Sequence, residues 1–366
     1  MAMRSRRVKN GGYLLALLPQ LLFVIGVVTG YTWVAVLFFF AALPALRYLV
    51  GNDLSPPNTS PSAALLRYLR AVPRLYVVAW ALILPWTIWT LSSRTFTPWE
   101  FAGLGVSFWI IVSLNTAVAH EMVHSGTRLD RMLGVALDAS VGYFHFLEEH
   151  LSHHARTGHF VGGDAARPGE SVYRYALARY LRTFSNAWEF ENERLRKRRM
   201  GWIYNRLLGR VAIPTAIGVA FFLMAGWPGL LFYGLEAIGA AFSVQAITYL
   251  QHWGLSQLKT PELQDYGFSW EDGCWMQACV TLNHAYHGQH HLKVRLPYYK
   301  LSLPKGALCL PASYPVMFIL SLYPPLFTRV MAARLARWRA DELSREELAH
   351  EADCIGAAQV ARMIKR

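Results

Sequence analysis

A chain of 366 residues has room for one large or two ordinary domains. Its composition is 54% apolar, 14% aromatic and only 16% charged. That excludes an ordinary soluble domain, which carries about 25% charged residues, and points to an integral membrane protein. The formal net charge of +13 does not mark a nucleic-acid binder. The charge gathers beside apolar segments, at Arg4, Arg6, Arg7 and Lys9 and at Arg194, Arg196, Lys197, Arg198 and Arg199. Such runs mark a cytoplasmic membrane face and anionic headgroups.

Residues 1–12 are polar and basic, and the apolar run 13–30 follows. It has no clear small-residue cleavage site and meets a second apolar run, 31–46, at once. The pair therefore reads as two uncleaved spans, not as a signal peptide. Residues 51–73 are polar. Further spans are expected at 74–91 and 101–124. The mixed region 125–207 holds one apolar stretch, Met132 to Leu147, too short to cross and read as a re-entrant or surface helix. A fifth span is expected at 211–226, a tight turn at Trp227-Pro228-Gly229 and a sixth span at 230–250. Leu308 to Phe327 is apolar but interrupted by Pro311, Pro315, Pro324 and Pro325, which suits an interfacial hairpin. The tail beyond Arg329 has the pattern of an amphipathic surface helix. The expected fold is thus all-α: one membrane domain over 1–330 with six transmembrane helices and a cytoplasmic histidine-rich cap, then a tail, 331–366. With both termini inside a cytoplasmic (inner) membrane, the outer turns carry one basic residue, as the positive-inside rule requires.

Nine of the thirteen histidines fall into four tight groups. They are His120 and His124 in His-Glu-x-x-His, His150, His153 and His154 in His-x-x-His-His, the single His252, and His287, His290 and His291 in His-x-x-His-His. On a helix, positions i, i+3 and i+4 share a face, so each group can aim two or three nitrogens at one spot. Nine nitrogens exceed one metal, since zinc closes its shell at four. They suit two six-coordinate ions with open positions, hence a dinuclear site, iron foremost.

Two rival readings use less of this pattern. His-Glu-x-x-His alone is a metalloprotease signature, but a protease leaves most of the other clusters unexplained. A metal transporter wants ligands at mid-span, where Glu236 is the one carboxylate. Glu121, Glu149, Asp164, Glu170 and His284 are candidates to orient the ligand imidazoles from behind. His284, three residues before His287, also competes for a ligand role. His145, His159 and His350 read as structural or solvated. Trp33, Phe38, Phe39, Phe40 and Trp109 are candidates to line a lipophilic slot. The four cysteines, Cys274, Cys279, Cys309 and Cys354, form no Cys-x-x-Cys pair, so the chain has no recognisable redox module and needs external electrons. Arg194 to Arg199, Lys293 and Arg295 offer a basic face for an acidic carrier.

At these residues the chain resembles the membrane-bound di-iron alkane monooxygenases, including the xylene monooxygenase hydroxylase subunit, within the wider fatty acid desaturase and hydroxylase group. The likeness covers about residues 74 to 327. It rests on His120-Glu-Met-Val-His124, Glu149-His150 with His153-His154, Pro168-Gly-Glu170-Ser-Val-Tyr-Arg174, Gln251-His252-Trp253-Gly254, and His287 with His290-His291. The resemblance implies six membrane helices, nine histidine ligands on two irons, O2 as co-substrate, and a separate rubredoxin or ferredoxin-type donor with its reductase. The activity it implies is hydroxylation of an unreactive C–H bond in a lipophilic substrate, an alkane, alkyl chain or alkylarene. The second cluster is one residue shorter than in alkane hydroxylases. That spacing is similar to desaturases and to the decarboxylases that turn fatty acids into terminal alkenes, which is the alternative reaction.

Overall fold

The computed structural model describes residues 9–53, 60–259 and 261–341. Arg4, Arg6, Arg7, His350, Cys354 and the tail beyond 341 lie outside the described residues. Among those described, the chain is helical, with only two isolated β-bridges, Asn52 to Cys274 and Glu271 to Cys309. Among the described residues, four helices are long and apolar enough to cross a membrane: α1, Lys9–Thr29; α3, Ala63–Ser93; α4, Pro98–Val123; and α8, Arg206–His252. The shorter α2, Val34–Val50, contains a π-helical turn at Phe38–Ala42. The cap is built from α5, Arg128–Ala139, α6, Phe146–Ala155, and α7, Val172–Lys197. After α8 come α9, Trp275–Val280, α10, His287–Leu292, α11, Tyr314–Ser321, and a final helix over residues 324–341.

The helices start where side chains satisfy their first N–H groups. Ser62, Thr127, Ser171 and Asn205 each accept from a first-turn amide of α3, α5, α7 and α8. Thr97 and Glu100 form a reciprocal capping box on α4, with Pro98 at its first position.

The expected spans 211–226 and 230–250 form one 47-residue run, α8, with a break at Gly226 (φ 64°, ψ −157°). A side chain would be strained there, and Pro228 follows. The two limbs fold back on each other: the Phe221 ring stacks on Tyr233 at 5.1 Å. Twelve residues of straight helix would separate them by about 18 Å.

The membrane-level core centres on α4. Phe108 packs against Phe23 of α1, Trp80 of α3 and Phe232 of α8, with centroids 5.5, 5.5 and 5.6 Å away. Buried polar groups there pair locally: Tyr76 donates to Asn115 at 2.8 Å and Trp80 to Ser140 at 2.8 Å.

One surface expectation needs correcting. Lys9, read as part of a lipid-facing basic run, is buried, ion-paired with Asp53 and set 5.1 Å over the Tyr286 ring. The described start of the tail is an amphipathic helix. Phe327, Met331, Leu335 and Trp338 line one buried stripe of the helix 324–341, which packs on the cap. Arg334 donates to the Cys309 carbonyl and Trp338 to that of Gly306.

Candidate metal centre

The nine histidines converge from the ends of two long helices and from two short cap helices. His120 lies in the last turn of α4 and His124 caps it; His252 is the last residue of α8. α6 carries His150, His153 and His154, and α10 carries His287, His290 and His291.

They divide into two groups, in each of which every histidine offers a nitrogen within 4.8 Å of the others. One group is His120, His124, His150, His154 and His290; the other is His153, His252, His287 and His291. The split falls inside each His-x-x-His-His helix. From α6, the i and i+4 residues His150 and His154 join the five-membered group, while His153 turns to the other. From α10, His287 and His291 join the four-membered group, while His290 crosses over. Adjacent residues on a helix point about 100° apart, so one short helix can serve two centres. The expectation that each cluster serves one spot is therefore modified.

The donor set fits cations better than hydrogen bonds. His150 Nε2 lies 2.6 Å from His124 Nε2 and 3.0 Å from His154 Nε2, which is itself 3.0 Å from His290 Nε2. In the other group His287 Nε2 lies 3.1 Å from His153 Nε2 and 2.8 Å from His291 Nε2. An imidazole nitrogen offers one proton or one lone pair, so such a chain cannot satisfy every contact. His120 Nε2, His252 Nε2, His154 Nδ1 and His287 Nδ1 are buried without a partner among the described residues. Burial first, then the neighbouring imidazoles, pushes His150, His287, His290 and His291 well below the usual histidine range and His124 down to about 4. They are neutral, as metal ligation requires. All-nitrogen sites suit iron, copper or zinc and not calcium or magnesium.

Behind the ligating face, several Nδ1 atoms are anchored. His153 Nδ1 pairs with Asp164, His252 Nδ1 donates to the Phe268 carbonyl at 2.8 Å, and His291 Nδ1 meets the Thr157 hydroxyl at 3.0 Å. Asp164 also takes a bond from buried Arg179, which reaches Glu149 and Gln245 as well. Burial would raise the Asp164 carboxyl, yet Arg179 and His153 hold it well below the usual range. Glu149 is likewise held down by Arg179 against its burial.

The other candidates spread more widely. His284 Nδ1 sits 3.3 Å from His120 Nδ1, and His284 forms a third close set with His120 and His287. Glu121 accepts from the Tyr298 amide at 3.1 Å, bracing the loop after α10. Glu170 folds onto its own turn, accepting from the Arg167 amide at 3.2 Å. Arg179, Gln245 and Glu271, which accepts from the Gly288 amide at 2.6 Å, were not legible as site residues. No motif marks them, and each reaches the centre only through the fold.

Below the histidines lies an apolar cavity of about 120 Å3, the size that admits a small hydrocarbon ring. Phe39, Phe40, Trp109, Leu114, Ile247 and Phe318 form its apolar wall, and His120, His150, His153, His284 and His287 its roof. Trp33 and Phe38 do not line it. Trp33 instead stacks on Trp99 at 4.4 Å and donates to the Trp99 carbonyl near the start of α4.

Comparison with known proteins gives concordant results. The chain is 27% identical over 332 residues to "Alkane 1-monooxygenase 2" of Pseudomonas aeruginosa, covering 85% of each chain. It is 27% identical over 369 residues to "Alkane 1-monooxygenase 2" of Alcanivorax borkumensis, covering 92% of this chain and 94% of that one. It is 30% identical over 257 residues to "Alkane 1-monooxygenase 1" of Pseudomonas aeruginosa, covering 66% and 67%. The fatty acid desaturase profile matches residues 97–305, a stretch that begins at the α4 cap and takes in every histidine of both groups. The chain therefore belongs to the fatty acid desaturase family.

Proposed function

We propose that the chain is a membrane-bound di-iron monooxygenase that hydroxylates an unreactive C–H bond of an alkane or alkyl chain. The observation that carries the reading is the apolar cavity ending on the inner face of both histidine groups. The curated relatives, named alkane 1-monooxygenases, support it. Two irons held by the nine histidines would supply O2 activation and hydrogen abstraction. The chain's own residues do the rest. Phe39, Phe40, Trp109 and Phe318 hold the hydrocarbon and exclude water. Asp164, the Phe268 carbonyl and Thr157 fix His153, His252 and His291 so that Nε2 faces inward.

On this reading α1, α2, α3, α4 and the two limbs of α8 make six spans, with the histidines at the cytoplasmic surface of the inner membrane. Electrons come from a rubredoxin or ferredoxin-type carrier with its reductase. Arg196, Arg198, Arg199, Lys293 and Arg295 are exposed and can meet an acidic carrier, whereas Arg194 is tied to Glu191. The acid-consuming alternatives need a cation for a carboxylate. Arg179 on the cavity wall is committed to Asp164 and Glu149, and Arg156 and Lys293 are exposed outside the lining. Hydroxylation is thus the better supported reaction.

The test is product analysis in cells that express the chain with a rubredoxin and reductase and receive an alkane and a fatty acid of equal length. A terminal alcohol from the alkane is expected. An alkene one carbon shorter than the acid, or an unsaturated acid, would replace this reading with the decarboxylase or desaturase one.

A further inference from the structure

A second apolar compartment of about 540 Å3 runs between α4 and the second limb of α8. Phe101, Gly105, Leu231, Phe232 and Leu235 line it, and it opens toward the lipid-facing side, where Phe101, Leu231 and Leu235 are exposed. Two features set it apart. Trp109 belongs to this groove and also to the wall of the histidine cavity, so one indole separates the compartments. That indole donates to Ser243 at 3.0 Å, packs on Phe40 and Phe318 with centroids 6.4 and 5.5 Å away, and lies over Gly239, where a Cβ would stand 2.7 Å from its ring. The second feature is Glu236, the mid-span carboxylate noted in the sequence. It lines the groove at 7% exposure, and its Oε2 is buried without a partner among the described residues. Across from it, Gly105 leaves room beside the carboxyl, 3.7 Å from where its Cβ would be.

An unpartnered carboxyl at this depth is costly, and such residues in membrane spans mark ligand sites. The ligand must be mostly hydrocarbon, because the groove is. Its polar group must hydrogen-bond with a carboxyl, which accepts at its carbonyl oxygen and donates from its O–H when neutral. An ammonium or a carboxylate would carry a full charge into the bilayer. A neutral hydroxyl meets both demands. Gly105 lies fifteen residues before His120, about 22 Å along α4, so the chain that links the two points is long.

We propose that this groove seats the hydroxyl end of a long-chain primary alcohol whose methyl end lies in the histidine cavity, with the Glu236 carboxyl hydrogen-bonding that hydroxyl and Trp109 swinging aside to join the compartments. The inference rests on the proposed hydroxylase reading and extends its substrates from alkanes to 1-alkanols. The balance is that of the same reaction: the terminal C–H, O2, two carrier electrons and two protons give a C–OH bond and water. The product is an α,ω-diol.

The experiment uses the full chain in membranes with its electron supply, and n-alkanes from octane to eicosane beside the matching 1-alkanols. In the wild type, long alkanols are expected to have a lower KM than alkanes of equal length and to yield diols. Glu236→Leu should raise the alkanol KM relative to the alkane KM about tenfold, the weight of one buried hydrogen bond, and Glu236→Gln should restore much of it. Trp109→Ala should move the preferred alkanol length. Iron content matched to wild type separates these effects from misfolding. An alkanol-to-alkane KM ratio that Glu236→Leu leaves at the wild-type value overturns the proposal and marks the groove as a lipid-filled seam. If the wild type oxidises neither class, the hydroxylase reading fails on its own. Retention of 1-alkanol in native mass spectrometry, wild type against Glu236→Leu, then decides the groove separately.

Discussion

The two histidine groups differ in what stands behind them. In the group of four, His153, His252 and His291 each have the outer nitrogen tied to a carboxylate, a carbonyl or a hydroxyl. In the group of five, the contact of this kind among the described residues is His120 with His284, another imidazole. The five-membered group also holds His124 and His154, which are part-exposed. The smaller group offers fewer nitrogens on a rigid backing, and the larger offers more nitrogens on a softer one. Ligand number and orientation are thus traded against each other across one centre.

The largest expected contrast comes from single ligand deletions. His291→Ala removes one of four and should abolish product and lower bound iron by about half, whereas His124→Ala removes one of five and should retain more iron. Iron per chain by elemental analysis checks this, and full activity in both variants would discard the nine-ligand assignment. Next in size are the supports. Asp164→Asn should weaken metal binding about 10- to 100-fold and lower Tm, because it also strips a partner from buried Arg179. His284→Leu should cost less, since His120 keeps four companions; a larger loss there would reverse the comparison. Smallest is the pH effect. Burial, then His153, pushes His124 and His284 down to about 4, below their unfolded value of about 6.5. The unfolded chain therefore binds more protons in between, and stability from these groups is present above pH 6.5 and lost as pH falls toward 4. The Tm of metal-free protein should drop across that window in thermal scans, while iron-loaded protein should hold until it releases metal.

Much of this was legible in the chain. Histidines at i, i+3 and i+4 announce a shared helical face, and apolar runs announce the spans. The exchange of His153 and His290 between groups was not, because it depends on how α6 and α10 approach each other. The network of Asp164, Arg179, Glu149 and Gln245 draws on three helices, α6, α7 and α8, and a loop, so no local pattern reports it. That Trp33 and Phe38 lie off the cavity was not legible for a related reason. Aromatic character marks burial or a membrane interface, but not which side of a helix meets a cavity.

The helix 324–341 has a bearing on how the protein is made. Its buried stripe rests on Tyr249 and Trp253, the neighbours of His252, with Phe327 at 5.2 and 5.8 Å from their rings. A ribosome delivers these residues after all nine histidines, a few seconds later at about 5–20 residues per second. Until then Tyr249 and Trp253 lack that cover. Truncation before Phe327 would leave them bare beside His252, and is expected to lower both Tm and bound iron.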